Sequence, residues 1–324
     1  MRAFVTGATG FVGSHLAEAL VARGDVVVAL ARRPASSDFL SGLGATPAPG
    51  ALDDAAKLAA ALEGVDVVYH VAGLTAAVDE AGFRAVNERG TRQLLDAVRR
   101  AAPGVRRFVF VSSQAALGPS RPGERLAEDA ETRPITAYGR SKLAGERAVR
   151  GADVPWTIVR PPAVYGPRDR EFLRLFRLVK RGVAPVFGWG RQQLSLVYVT
   201  DLAEALVRAG TVEGARGQVY HAAHPEVVLS RDVGKAIGRA IGRTPVVLPL
   251  PGALAGPIVG AIGRAAAAAG KPSVVNDDKM AEFLAPAWLL SVEKAERELG
   301  WRAAHDLAAG MAKTAEWYRR EGLL

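Results

Sequence analysis

Short apolar runs alternate with amphipathic stretches through the first half of the chain. Ala3–Thr6 reads as a strand, and a helix is predicted from about Gly10 to Ala22. Val26–Ala31 and Thr46–Pro49 predict a second strand and a short third one. Leu58 and Leu62, one turn apart, mark Ala55–Leu62 as helical, and Val65–Val71 is an apolar strand. Arg84–Ala101 carries Leu94, Leu95 and Val98 on one face of a long helix. Phe108–Ser112, Ala137–Arg150 and Thr157–Arg160 continue as strand, helix and strand. Alternation of this kind predicts an α/β fold, a doubly wound parallel sheet with helices on both faces and right-handed crossovers.

After Gly166 the pattern changes. Phe172–Lys180 is an amphipathic helix, Gln193–Val199 a strand, and Leu202–Ala209 a helix that returns to the sheet. Beyond Pro225 come helices broken by Gly and Pro: Arg231–Ile241, Ala253–Ala269, Val292–Leu299 and Leu307–Tyr318. The predicted division is 1–167 plus 191–224 for the sheet domain and 168–190 plus 225–324 for a smaller, mainly helical C-terminal lobe. A length of 324 residues suits two such units.

Hydrophobic residues at 49% and charged residues at 23% exclude a disordered, collagen-like or coiled-coil chain. The absence of Cys excludes a disulfide scaffold, a thiolate metal site and a cysteine nucleophile, and five scattered His suggest no metal cage. The net charge of +9 is spread through the chain. No basic block is interleaved with aromatics, so no nucleic-acid partner is expected. No apolar run reaches the ~18 to 20 residues that would cross a bilayer. Met1-Arg2 leads straight into the first strand, which leaves no room for a signal peptide; a cytoplasmic enzyme is expected.

The strongest local signal is Thr6-Gly7-Ala8-Thr9-Gly10-Phe11-Val12-Gly13, which follows the first strand and opens the first helix. That context makes it a dinucleotide-binding glycine turn. Gly7 permits the tight turn, Gly10 lets backbone approach a pyrophosphate, and Gly13 lets the helix pack closely. Backbone N–H groups at the helix start, around Thr9, Phe11 and Val12, then face the phosphates. The Gly-x-x-Gly-x-x-Gly spacing resembles the extended branch of the short-chain dehydrogenase/reductase superfamily, the NAD(P)-dependent epimerase/dehydratase family. The resemblance implies a Rossmann-type sheet. Where NAD-binding relatives place an acidic residue, at the end of the second strand, this chain has Ala31 followed by Arg32 and Arg33. Those guanidinium groups can pair with a 2′-phosphate, so NADP(H) is favoured, with NAD(H) as the alternative. Gly50-Ala51-Leu52 resembles the family's turn beside adenine, where Leu52 packs.

In Tyr138-Gly139-Arg140-Ser141-Lys142 a spacing of four puts Tyr138 and Lys142 on one helical face. A cation beside a phenol lowers its pKa and suits it to general acid/base work. Upstream, Ser112-Ser113 ends a strand, at the edge where ligands of open α/β sheets bind. These residues match the superfamily's Ser and Tyr-x-x-x-Lys set, with Ser112 a rival that the pattern around Ser113 to Gly118 disfavours. By the same resemblance, Tyr138 and Lys142 also meet the cofactor, Lys142 binding the nicotinamide ribose, and Asn87 holds a water or a backbone carbonyl near the site. Ala72 and Gly73, in His70-Val71-Ala72-Gly73, line the cofactor. Backbone from Pro161 to Val164 meets the nicotinamide carboxamide.

Departures from the family narrow the substrate. Gln114-Ala115 stands where sugar dehydratases carry an acid pair. Ala163 and Leu194 replace an Asn and an Arg that serve the sugar nucleotide in relatives. What is left is nearest the dihydroflavonol reductase and 3β-hydroxysteroid dehydrogenase side. The apolar candidates Leu74, Phe83, Phe172, Phe176, Phe187, Trp189 and Leu194 are then pocket or lobe core. The expected activity is interconversion of a carbonyl and a secondary alcohol on a small apolar substrate. The alternatives are a nucleotide-sugar epimerase with tightly held NAD, or a redox-sensing regulator that binds dinucleotide without turnover. Helices Arg84–Ala101 and Ala137–Arg150 form a four-helix interface in many relatives, which implies a homodimer.

Overall fold

The computed structural model describes residues 1–32, 37–251 and 277–324. A seven-stranded parallel sheet has the order β3-β2-β1-β4-β5-β6-β11. Its strands are β1 (Arg2–Thr6), β2 (Val26–Ala31), β3 (Thr46–Pro49), β4 (Val67–His70), β5 (Arg107–Val111), β6 (Trp156–Arg160) and β11 (Gln218–His221). The order reverses between β1 and β4, so loops leaving these two neighbours diverge to opposite faces and open a crevice at their carboxyl ends.

Side chains alternate between two cores, as period-2 strands require. Val5, Val67, Tyr69 and Val109 meet α1 (Phe11–Ala22) and α9 (Val199–Thr211). Phe4, Val68, Phe108 and Phe110 meet α3 (Ala55–Leu62), α5 (Thr91–Ala101) and α7 (Ala137–Arg150). Leu94, Leu95 and Val98 are all buried, each contributing about 1.5–3 kcal/mol of transfer free energy.

Three departures from the predicted elements bear on the site. First, the long helix begins earlier and is not uniform. Glu80–Arg84 (α4) is followed by a π-helical turn, Ala85–Gly90, before α5. Such turns carry an extra residue and re-aim side chains; here the re-aimed residue is Asn87. Second, Gln193–Val199 is not one strand. Ser195 interrupts it by donating its N–H to Trp288 O at 2.8 Å and accepting from Leu290 N at 3.0 Å. Gln193–Leu194 (β9) joins Val228–Leu229 (β12) and Ala287–Trp288 (β14), while Leu196–Tyr198 (β10) pairs with Ala163–Tyr165 (β7). Third, β11 and Val246–Leu250 (β13) are strands the periodicity did not reveal. One is only four residues long, and the other carries Pro249.

The second lobe packs α8 (Arg170–Lys180), α10 (Ser230–Ile241) and α13 (Leu307–Arg320) around Phe176, Ile237 and Tyr318. Val183–Phe187 (β8) pairs with β13 there. Helix α11 (Asp277–Leu284) leads back to the sheet domain. Helix α12 (Glu293–Leu299) and Trp301 join the core of the large sheet, so the chain returns to that sheet within 225–324. The helix expected over Ala253–Ala269 lies outside the described residues. No helix among the described residues is long and apolar enough to cross a membrane.

Candidate active site

The glycine turn closes as its spacing requires. Gly7 has φ +75°, a left-handed conformation open to glycine, and a Cβ there would lie 2.7 Å from Ala72 N. A Cβ on Gly13 would lie 2.1 Å from Gly7 O, so only glycine lets α1 start this close to the turn. Asp54, Asp79, Thr136, Asp169 and Asp306 cap the helices that follow them. No side chain caps α1 at Gly10, and no acidic residue occupies its first turn. The first-turn N–H groups of Phe11, Val12 and Gly13 precede any intrahelical acceptor and point out of the helix, a ready anion site. These residues fit a dinucleotide pyrophosphate.

A buried hydrogen-bond chain ties this turn to the opposite wall. Thr91 Oγ1 donates to Asn87 O at 2.8 Å, so it accepts from His70 Nε2 at 3.0 Å. His70 Nδ1 then accepts from Thr6 Oγ1 at 2.7 Å, which in turn accepts from Ala72 N at 3.2 Å. Asn87 Oδ1 accepts from Leu74 N at 2.8 Å, and its Nδ2 donates to Leu74 O at 3.0 Å and Ser141 Oγ at 2.9 Å. Asn87 therefore fastens the loop after β4 to the helix bearing Tyr138 and Lys142. His70 is a packed link in this chain. Burial holds its imidazole down to about 3, and buried His221 behaves alike. Both protonate in the unfolded chain below about 6.5, so there the unfolded state binds more protons. Stability should fall as pH drops from 6.5 toward 3, by about 1.4 kcal/mol per pH unit for each histidine. Urea midpoints across this range check it; a flat profile would contradict it.

Ser113 caps the short helix α6 (Gln114–Leu117), accepting from Ala115 N at 3.1 Å. Its hydroxyl bears on the Tyr138 phenol and acts to lower the phenol's pKa. Ser112 is committed elsewhere, donating to Glu146 Oε1 at 2.6 Å. Lys142 is 4% exposed, donates to Val111 O at 2.6 Å and lies 4.5 Å over the Phe110 ring. Burial brings its ammonium down to about 8, opposed by the Glu146 charge. The Tyr138 phenol, expected to be depressed by Lys142, is instead pushed up to about 12 by burial and by the Glu282 charge, with the Ser113 hydroxyl acting against both. With Lys142 turned to Val111 O, the phenol keeps its proton across neutral pH.

The remaining predicted residues separate into near and far. Gly73 borders both Asn87 Oδ1 and Lys142 Nζ, where a Cβ would stand 3.0 and 3.6 Å away. Pro161 O accepts from Gln114 N at 2.8 Å, beside Ser113. Leu74 and Phe83 cluster with Tyr138, the Phe83 and Tyr138 rings 6.0 Å apart. Leu52 packs against the position of Gly90, in the π turn. Arg32 is exposed at the end of β2, and Arg33 lies outside the described residues. Val164 packs on the large core, in register with Val197. Phe172, Phe176 and Leu194 belong to the lobe core and not to a wall around Tyr138.

Sequence reasoning missed the floor beneath the site. Arg160 makes a bidentate pair with Glu146, Nε to Oε1 at 2.8 Å and Nη2 to Oε2 at 2.7 Å, with both side chains buried. Glu146 lies one turn beyond Lys142, so the signal was a charge at every fourth position from Tyr138. It also missed Glu282 of α11, whose Oε1 accepts from Thr136 Oγ1, the N-cap of α7, at 3.1 Å.

A model of the NAD dependent epimerase/dehydratase family matches residues 3–223. A ceramide reductase of Caulobacter vibrioides is 40% identical over 204 residues, which span 63% of this chain and 59% of that protein. The 4-hydroxy-2-methyl-3-oxo-4-farnesyl-3,4-dihydroquinoline-1-oxide ketoreductase of Stigmatella aurantiaca is 35% identical over 229 residues, 68% of this chain and 67% of its own. Among solved structures, MoeE5 in complex with UDP-glucose and NAD superposes with a TM-score of 0.80 at 26% identity, covering 99% of each chain.

Proposed function

Because this chain belongs to the NAD dependent epimerase/dehydratase family, we propose that it is a nicotinamide-dependent oxidoreductase that interconverts a ketone and a secondary alcohol on a small apolar substrate. The observation that carries this reading is the gathering of Tyr138 and Lys142 on one face of α7 with Ser113 bearing on the phenol, linked through Gly73 and Ala72 to the glycine turn at the uncapped start of α1. Two relatives, one named a ceramide reductase and the other a ketoreductase of a farnesyl-bearing compound, support the same class.

Gly7, Thr9, Gly10, Phe11, Val12 and Gly13 would hold the pyrophosphate. Leu52 would border adenine, and Ala72, Gly73, Pro161 and Val164 would border the nicotinamide side. When bound, the dinucleotide supplies the hydride taken by the carbonyl carbon. Ser113 orients the carbonyl oxygen through its hydroxyl. Tyr138 Oη passes its proton to that oxygen as the C–O bond becomes single. Lys142 as ammonium steadies the phenolate left behind, and Asn87 positions the loop and helix around them. A phenol that stays protonated at neutral pH suits reduction; the reverse reaction needs the phenolate and gains as pH rises.

NADP(H) is the proposed preferred form, with Arg32 and Arg33 meeting its 2′-phosphate. Titrating NADPH and NADH against the protein, followed by fluorescence, should show tighter NADPH binding. Arg32→Ala should then weaken NADPH by roughly tenfold, the loss of one charge-assisted bond, and leave NADH unchanged. Equal affinities, or an unaffected Arg32→Ala, would remove this role. The likeness to a structure holding UDP-glucose and NAD favours the epimerase as second reading. NAD retained through gel filtration, together with turnover of UDP-sugars and none of apolar ketones, would select it. A homodimer through α5 and α7 is proposed with either reading.

A further inference from the structure

β8 and β13 form a two-stranded parallel sheet in the second lobe, Val183 beside Val246 and Phe187 beside Leu250. Its inward positions, among them Ala184 and Val186, are buried, and Ala184 meets α10 at Gly234. Period 2 assigns the other face to solvent, where polar residues are expected. Here that face reads Val183, Pro185 and Phe187 on one strand and Val246, Leu248 and Leu250 on the other. Phe187 and Leu250 are covered by Met280 and Phe283 of α11, with the Phe187 and Phe283 rings stacked at 4.5 Å. The remainder is open: Val246 is 70% exposed, Leu248 47% and Val183 36%. Trp189 follows β8 and is 72% exposed.

Cations border this face. Lys180 and Arg181 precede β8, Arg243 precedes β13, and Arg191 follows Trp189. The two strand starts lie together, since Val246 N donates to Gly182 O at 2.8 Å. All four cations are exposed. None forms an ion pair or side-chain hydrogen bond among the described residues. Glu171 and Asp232, the acidic residues of α8 and α10, are held by Arg174 and Lys235. An open apolar face with a surface Trp and a fringe of unpaired cations complements an anionic headgroup layer over acyl chains.

We propose that the outer face of β8 and β13, with Trp189, docks on an anionic phospholipid bilayer surface. The covered end of the face leads to α11. Its Glu282 reaches Thr136, two residues from Tyr138. Docking therefore sets a bilayer beside the helix that reaches the N-cap of α7. This inference goes beyond the oxidoreductase reading and does not depend on it.

Flotation of the full chain with vesicles tests it, using phosphatidylcholine alone and phosphatidylcholine with phosphatidylglycerol. The expected result is association with the anionic vesicles only, released by salt, with a blue-shifted tryptophan emission. The pair Lys180→Glu with Arg181→Glu should weaken association roughly tenfold or more. Trp189→Ser with Leu248→Ser should do the same. Thermal melts establish that each variant is folded, and the charge pair alone decides if the apolar pair is not. Absence of binding, equal binding to neutral vesicles, or wild-type binding by the charge variant would each overturn the proposal. So would a dimer that the apolar pair dissociates, because a second copy would then own the face.

Discussion

Tyr138→Phe should lower turnover by about 10²–10⁴-fold, the usual contribution of one positioned proton donor. It should leave dinucleotide affinity within about twofold, because the phenol oxygen is not among the groups that fit the pyrophosphate. The ring remains to pack against Phe83, so the thermal midpoint should change little. Loss must therefore come from chemistry. The phenol is held protonated, up to about 12, chiefly by burial. Phenylalanine leaves Ser113 able to orient an oxygen but unable to complete the transfer. Steady-state rates with a ketone panel, beside binding titrations, make the measurement. A variant that kept most of its turnover would remove Tyr138 from the mechanism.

Glu146→Ala should destabilise the fold by about 3–5 kcal/mol, the range for removing one partner of a buried ion pair. Glu146 accepts from Ser112 Oγ and from both Nε and Nη2 of Arg160. Its removal leaves the Arg160 guanidinium buried with the Glu128 carbonyl oxygen, at 3.2 Å, to receive it. Glu146→Leu combined with Arg160→Met should recover much of the loss, since apolar groups of similar size leave no charge behind. Urea midpoints at constant slope compare the three forms. A single substitution costing under about 1 kcal/mol would show that water reaches the pair. Losing the Glu146 charge should also drop the Lys142 pKa below about 8. The high-pH limb of kcat/KM would then move to lower pH in any variant that folds.

Features that depend on local geometry were legible in the residues themselves. Gly7, Gly10 and Gly13 follow from what a strand–turn–helix can accommodate, and the left-handed φ of Gly7 and the close approach of Gly13 to Gly7 O agree with that geometry. Tyr138 and Lys142 share a helical face because four residues make about one turn. Alternating runs specified the parallel sheet because each strand needs apolar neighbours on both faces. None of these requires knowing what lies across the molecule.

Tertiary structure decided everything that depends on a distant partner. Ser112 and Ser113 are adjacent and chemically identical, and only the reach of Glu146 commits one and leaves the other to Tyr138. The Tyr138 phenol rises instead of falling because its burial and Glu282, 144 positions along the numbering, outweigh local spacing. His70 becomes a link between Thr6 and Thr91 because β1 and α5 meet it from either side. Phe176 and Trp189 are both large aromatics in the second lobe. One is fully buried because α13 packs on its helix, and the other stands open because nothing described packs on it. Hydrophobicity records that a residue prefers to leave water; only the packing of remote elements determines whether it can.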